Sequence, residues 1–268
     1  MMKIVILNQK GGVGKSTITV NLSYGLAQSQ RRTLIVDLDP QAHSSVIYSP
    51  ELPKKETVAE LFRNRSLNIA ELIRPAAVMQ EKNKEEKLVE IPNLFIIPSN
   101  IHLAASSETA ISWTHREKVL HNALQKVEKE FDFVLIDCPP SLGVLTVNAI
   151  YTADLILIPT NYSKYSLDGI FDLFTSIKDV KETENYDYRI LRSIKDTRSA
   201  RTNEAIEEQL IQFKNNLLDT IIRRNEAINQ SQMINQPVFL FDPHSTGVED
   251  FHLLTKEILQ YGEKNHRG

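Results

Sequence analysis

The stretch Ile4-Val5-Ile6-Leu7-Asn8-Gln9-Lys10-Gly11-Gly12-Val13-Gly14-Lys15-Ser16-Thr17 decides how the rest of this chain is read. An apolar run passes into a glycine-rich loop, and a helical pattern follows from Lys15 to Ser29. Gly11, Gly12 and Gly14 can take backbone angles closed to other residues. Successive N–H groups can then turn inward around a polyphosphate, and the helix adds its positive N-terminal end. Lys15 supplies a point charge for the outer phosphates and Ser16 a hydroxyl for Mg²⁺. The strict phosphate-loop pattern wants glycine five residues before Gly14. Gln9 stands there instead, and Lys10 puts a second lysine inside the loop. A glycine-rich turn that binds nothing has no use for the strand before it, the Lys-Ser-Thr after it and the helix beyond. The expected ligand is a nucleoside triphosphate.

The chain has 268 residues, enough for one large α/β domain, and a single domain over 1–268 is expected. Hydrophobic content of 41% and charged content of 24% are ordinary for a soluble globular protein. A net charge of -3 rules out a polycation, so any nucleic-acid contact must come from a local patch. Cys138 stands alone, which excludes an internal disulfide and a cysteine-cluster metal site and suits a reducing cytosol. No apolar run approaches the roughly 20 residues that span a bilayer. The first residues already read as a core strand, so no signal peptide is expected.

Apolar runs alternate with helical patterns, which implies a doubly wound α/β fold, a mostly parallel sheet flanked by helices. Strands are expected at Lys3 to Leu7, Thr33 to Val36, Leu94 to Ile97, Phe131 to Ile136, Leu155 to Pro159 and Tyr188 to Ile194, with a shorter one near Leu217 to Ile221. Runs such as Phe133-Val134-Leu135-Ile136 do not alternate with polar residues, as in strands buried on both faces. Helices are expected at Lys15 to Ser29, Val58 to Arg63, His115 to Lys129, Leu142 to Tyr151, Leu167 to Lys178, Asn203 to Phe213 and Gly247 to Gly262. Ser49 to Lys55 is Pro-rich and charged, and Gln80 to Lys87 reads as a solvated loop or helix end.

Ligands in open α/β sheets sit at the carboxyl ends of strands. The second strand ends Val36-Asp37-Leu38-Asp39-Pro40-Gln41. Period-two geometry puts Asp37 and Asp39 on one side. One carboxylate could orient an attacking water and the other could help hold Mg²⁺ through water; a pair of turn or helix-capping aspartates is the alternative. Another strand closes on Asp137, in the manner of the second metal-site element of phosphate-loop NTPases. Cys138 beside it reads as a packed small residue, since no histidine is placed as its base. Trp113 and Phe131 read as core residues, and His43 as a solvated loop residue.

These three segments together resemble the ParA/Soj partition ATPases, within the wider group that includes MinD. The matching residues are Lys10-Gly11-Gly12-Val13-Gly14-Lys15-Ser16-Thr17, Asp37-Leu38-Asp39-Pro40-Gln41 and Asp137-Cys138-Pro139-Pro140-Ser141-Leu142-Gly143. Fainter echoes are Pro159, Leu167-Asp168-Gly169, Arg224-Asn225, Pro237-Val238-Phe239, Asp242-Pro243 and Ser245. The resemblance spans nearly the whole chain. It implies a slow, partner-stimulated ATP hydrolase in which ATP and Mg²⁺ are sandwiched between two copies. Lys10 would reach across to the partner's phosphates, as an arginine finger does. Gly11 would lie where the two loops face each other, Asp39 would position the water, and Ser16 and Asp137 would serve Mg²⁺. Arg224 and Asn225 would lie near the adenine.

The resemblance also implies non-specific DNA binding by the ATP dimer, a ParB-like stimulating partner, and a cytoplasmic, nucleoid-associated protein that partitions a chromosome or plasmid. Arg189, Arg192, Lys195, Arg198 and Arg201, with Lys214, Arg223 and Arg224 further on, are the candidate cations. Where relatives often carry an arginine three residues after the Arg-Asn pair, this chain has Ala227. A relative that positions a protein cargo would share every motif. A MinD-like membrane ATPase needs a basic amphipathic C-terminal helix, whereas Asp250 to Tyr261 carries Asp250 and Glu257, and only Lys264 to Arg267 is basic, so no membrane partner is expected. An electron-transfer relative of the nitrogenase-iron-protein type needs two cluster cysteines per subunit and is excluded. No helix-turn-helix segment precedes the loop, which argues against operator-specific repression.

Overall fold

The computed structural model describes residues 1–51, 55–82, 85–162 and 165–265. Its strands are β1 (Met2–Ile6), β2 (Thr33–Asp37), β3 (Arg74–Lys82), β4 (Glu85–Ile97), β5 (Phe133–Asp137), β6 (Leu155–Asn161), β7 (Tyr188–Lys195) and β8 (Leu217–Arg223). They form one sheet in the order β3-β4-β2-β5-β1-β6-β7-β8. Every neighbouring pair is parallel except β3 with β4. The expected doubly wound, mostly parallel sheet is therefore present.

The helices are α1 (Lys15–Gln28), α2 (His43–Tyr48), α3 (Val58–Leu61), α4 (His102–Ala110), α5 (Val119–Leu124), α6 (Val144–Thr152), α7 (Tyr165–Lys181), α8 (Ala200–Leu210), α9 (Glu226–Met233), α10 (Val238–Phe241) and α11 (Thr246–Asn265). They cover both faces of the sheet. Val134 and Ile136 of β5 pack with α3 to α8, while Phe133 and Leu135 pack with α1, α2 and α9 to α11. Period-two alternation thus feeds two apolar layers at once, which is why this strand reads as a continuous apolar run.

Helix α1 is enclosed on nearly every side, and α11 crosses it closely. A β-carbon built at Gly25 would stand 2.1 Å from Thr255 Oγ1. Only a glycine admits that approach. The rest of α11 turns Val248, Phe251, Leu254 and Ile258 into the core, so its apolar face is already covered.

Three expectations are corrected. Gln80 to Lys87 is the end of a two-stranded ribbon, with Val78 opposite Val89 and Met79 opposite Leu88 (residues 83 and 84 lie outside the described residues). Cross-strand pairing, not local pattern, makes it a strand. The long helix expected at His115 to Lys129 is broken into 3₁₀ turns at Arg116–Lys118 and Gln125–Val127 around α5. His115 sits at φ 58°, and Asn148 accepts from Leu120 N at 3.0 Å and donates to Arg116 O at 2.7 Å. A buried amide side chain has replaced part of the helical bonding. Helices α2, α4, α9 and α10 were not expected at all. Part of the Pro-rich Ser49 to Lys55 stretch, the Leu167 and Asp168 side chains and the basic side chains of Lys264 to Arg267 lie outside the described residues.

Candidate nucleotide-binding site

The loop after β1 is held from two sides. Asn8 is buried; its amide donates to Pro159 O at 2.8 Å and accepts from Lys10 N at 2.8 Å. Val13 is also buried, and its carbonyl accepts from Ser193 Oγ at 2.9 Å. The loop start is thereby tied to β6 and its middle to β7. Gly12 and Gly14 stand at φ 72° and 92°, where other residues are strained. Gly11 is not in that region, and a β-carbon built on it meets nothing within 4 Å.

Lys15 begins α1 and is buried, its Nζ 3.3 Å from Lys10 O. Burial pulls its pKa down, and the charges of Asp137, Cys138 and Asp39 pull the other way. Lys10 is half-buried in the same loop. Between the loop and α2 lies a cavity of about 420 Å³, walled by Gly11, Gly12, Lys15, Ser16, Asp39 and Pro140 among others. A second cavity of about 290 Å³ shares Gly12, Gly14, Thr17 and Gln232 with it and is closed by Arg224 and Asn225.

The two aspartates after β2 part company. Asp39 lines the first cavity and accepts from Gln41 N at 2.9 Å. Asp37 is sealed, accepting from Asp39 N at 3.0 Å and from Ser45 N and Oγ at 2.9 and 2.6 Å. β2 ends at Asp37, so strand alternation does not extend to Asp39, and the two carboxylates have different surroundings. Asp37 serves the capping role, here for α2.

Asp137 ends β5 directly beside Asp37 in the parallel register. It is fully buried. Oδ2 accepts from Ser44 Oγ at 2.6 Å, and Oδ1 has no hydrogen-bond partner. Burial pushes Asp37 up to about 8, with the charge of Asp137 adding and the bonds from Ser45 and Asp39 opposing. Burial likewise raises Asp137 to about 6, opposed by the bond from Ser44 and by the nearby Ser16 hydroxyl. A buried carboxylate oxygen without a donor fits a cation or its water. Mg²⁺ characteristically takes one or two carboxylates and keeps several waters. Among the described residues no group of three or more His, Cys, Asp or Glu side chains is arranged to hold a metal ion by itself. Cys138 is buried with its thiol pushed well above the usual range, so it packs, as expected.

The candidate DNA cations do not gather on one surface. Arg189 lies over the Tyr261 ring, 4.7 Å from its centroid. Arg192 points to the opposite face, where it and Lys195 share Glu207 at 3.1 and 3.2 Å. Arg223 is bonded to Asp250 at 2.7 Å and to Glu249 at 3.2 Å. Strand alternation and acidic partners from α8 and α11 divide what the linear sequence groups. Arg198, in the turn before α8, and Arg201, in its first turn, are exposed, Arg198 gripping Asp196 at 2.8 Å. Arg224 is exposed, 3.7 Å from the same Asp196. Asn225 caps α9, accepting from Ala227 N and Ile228 N, and donates to Thr246 Oγ1 at 2.7 Å. Trp113 is half-buried against the core and Phe131 is buried in it, while His43 is exposed at the cavity wall.

Sequence reading missed Ser44 and Ser45, and also Gln232, Asn235 and Gln236 in the cavity wall. Gln232 donates to Thr17 Oγ1. The only sequence signal for the serines was a capping aspartate eight residues before Ser45.

Sheet, loop and cavity together define a phosphate-loop nucleotide-binding protein. A family described as an AAA domain matches residues 1–190. The sporulation initiation inhibitor protein Soj of Bacillus subtilis (strain 168) is 33% identical over 262 residues, covering 97% of this chain and 98% of that protein. The chromosome partitioning protein ParA of Myxococcus xanthus (strain DK1622) is 34% identical over 263 residues, covering 96% and 87%. Among solved structures, cobyrinic acid a,c-diamide synthase of Mycobacterium smegmatis with a bound ATP analogue and magnesium is 27% identical with a TM-score of 0.66, covering 78% of each chain. The chain belongs to the ParA/Soj family of ATPases. Among the described residues no helix is long and apolar enough to cross a membrane.

Proposed function

We propose that this chain is one ATPase unit over residues 1–268 that binds Mg²⁺·ATP, pairs face to face over the nucleotide and binds DNA in that state to drive partitioning. The observation that carries the reading is one cavity walled by the glycine loop, Lys15, Ser16 and Asp39, with the half-satisfied Asp137 carboxylate buried beside Ser16. The backbone of Gly11, Gly12, Val13 and Gly14 would wrap the phosphates, with Lys15 as the fixed cation and Thr17 at the helix entrance. Ser16, Asp137 and, through water, Asp39 would hold Mg²⁺, which when bound supplies charge neutralisation at the phosphates. Asp39 orients the attacking water from the cavity wall. Lys10 serves the partner copy's phosphates. Arg224 and Asn225 line the adjoining cavity, which supports a place for the base beside them.

A relative named for chromosome partitioning, and a bound ATP analogue with magnesium in a solved relative, support this reading. For DNA, exposure favours Arg198, Arg201 and Arg224 over Arg189, Arg192, Lys195 and Arg223. A ParB-like partner would stimulate hydrolysis, and the protein would ride on the nucleoid. The test is light scattering and DNA retention with no nucleotide, ADP and ATP across a salt series. Expected are a dimer and salt-sensitive retention with ATP alone, and loss of retention in a combined Arg198→Ala and Arg201→Ala variant. Absence of any calorimetric heat with adenine nucleotides would refute the reading at its root.

A further inference from the structure

We propose that Ser44 is a positioning residue. It fixes the orientation of the Asp137 carboxylate and so couples whatever that carboxylate binds to helix α2. The inference rests on the Mg²⁺·ATP reading above and adds a residue and a coupling to it.

Asp37 and Asp137 lie side by side at the ends of adjacent strands, yet they are bonded differently. Asp37 is saturated, taking Asp39 N, Ser45 N and Ser45 Oγ. Ser45 Oγ also accepts from Ser99 N at 2.8 Å, so this half of the arrangement is a fixed anchor between β2, α2 and the segment after β4. Asp137 has one bonded oxygen and one without a partner. A carboxylate held at one oxygen can turn about its Cβ–Cγ bond. The Ser44 hydroxyl, at 2.6 Å and fully buried, makes the bond that sets that turn, with the Ser16 hydroxyl of the loop also close to the carboxylate. It leaves Oδ1 as the oxygen presented to a cation.

Ser44 sits in the first turn of α2, next to Ser45. Asp39 is joined to that turn by a tight bend: Ala42 is left-handed at φ 57°, and its N–H donates to Asp39 O at 2.9 Å. A short, stiff path therefore runs from Asp137 through Ser44 to the carboxylate that lines the cavity. Groups that orient a metal ligand commonly change metal affinity without touching the metal.

The experiment is Mg²⁺ titration of fluorescent ATP-analogue binding, with hydrogen exchange of residues 43–48 as a second readout. Ser44→Ala should raise the half-saturating Mg²⁺ concentration roughly 10-fold while leaving nucleotide affinity in EDTA unchanged. Ser45→Ala should lower stability with a much smaller Mg²⁺ shift. In the unaltered protein, exchange across 43–48 should slow on adding Mg²⁺ to the nucleotide complex, a result that needs no variant. An unshifted Mg²⁺ titration in Ser44→Ala, or equal losses with Mg²⁺ and with EDTA, overturns the inference. So does exchange across 43–48 that ignores Mg²⁺. If the unaltered protein shows no Mg²⁺-dependent nucleotide binding at all, the reading beneath it has failed first.

Discussion

Gly11→Val separates the needs of the folded subunit from those of the pair. A β-carbon at Gly11 meets no atom within 4 Å, and its backbone lies outside the left-handed region. The substitution should therefore change subunit stability by no more than about 0.5 kcal/mol, as at ordinary surface sites. For a chain of this size that is a shift of roughly 1–2 °C. Gly12→Ala is the internal contrast: at φ 72° it should cost about 1–2 kcal/mol. Association is another matter if the loops of two copies face each other. Two-fold symmetry places the new side chain on both sides of the contact. Overpacking of about 1–3 kcal/mol at each gives about 2–6 kcal/mol in all. That is a loss of roughly 30-fold to 10⁴-fold in dimer affinity. Thermal melting reads the first quantity, and sedimentation equilibrium with a non-hydrolysed ATP analogue reads the second. A Gly11→Val protein that melts many degrees lower would show the loop is not as open as described. One that melts normally and still dimerises would show that the loops do not face each other.

Gly25→Ala should destabilise by about 1–3 kcal/mol despite the better helix former, because the clash with Thr255 outweighs the roughly 1 kcal/mol propensity gain; a urea midpoint that rises would contradict the α1–α11 contact. Asp39→Ala should keep the fold and an ATP-bound dimer while single-turnover hydrolysis falls at least about 100-fold, the scale of a lost general base; an unchanged rate would remove Asp39 from the chemistry. The nucleotide-free protein should lose stability as pH rises from about 4 to about 8 and level off beyond. Asp37 in the folded chain holds its proton up to about 8 against an ordinary 3.8, so its stabilising contribution is full below the lower value and spent above the higher one. Asp137→Asn should flatten that slope, because it removes the charge that helps raise Asp37; a stability profile flat from about pH 4 to about 8 in the unaltered protein would count against the buried pair.

Much of the fold was readable because β1, β2, β5 and β6 are buried on both faces, and burial leaves an uninterrupted apolar record in sequence. The β3–β4 ribbon was hidden because its stability comes from its partner strand, while its own residues read Gln-Glu-Lys-Asn-Lys-Glu-Glu-Lys. Helix α2 was hidden for a related reason: its cap, Asp37, comes from the preceding strand and looked like a catalytic carboxylate. The phosphate loop was legible because glycine spacing encodes backbone shape directly. The cation cluster was misjudged as one surface because spacing along a strand does not show which face each side chain takes, nor that Glu207, Glu249 and Asp250 wait on neighbouring helices.

The close crossing of α1 over α11 has a consequence for the glycine loop. β1 pairs with β5 and β6, and α1 is boxed in by residues near 255, so the ends of the chain close on each other around the glycine loop. The cradle's shape thus depends on contacts made far along the chain, and a loosened last helix would be felt at the loop through α1.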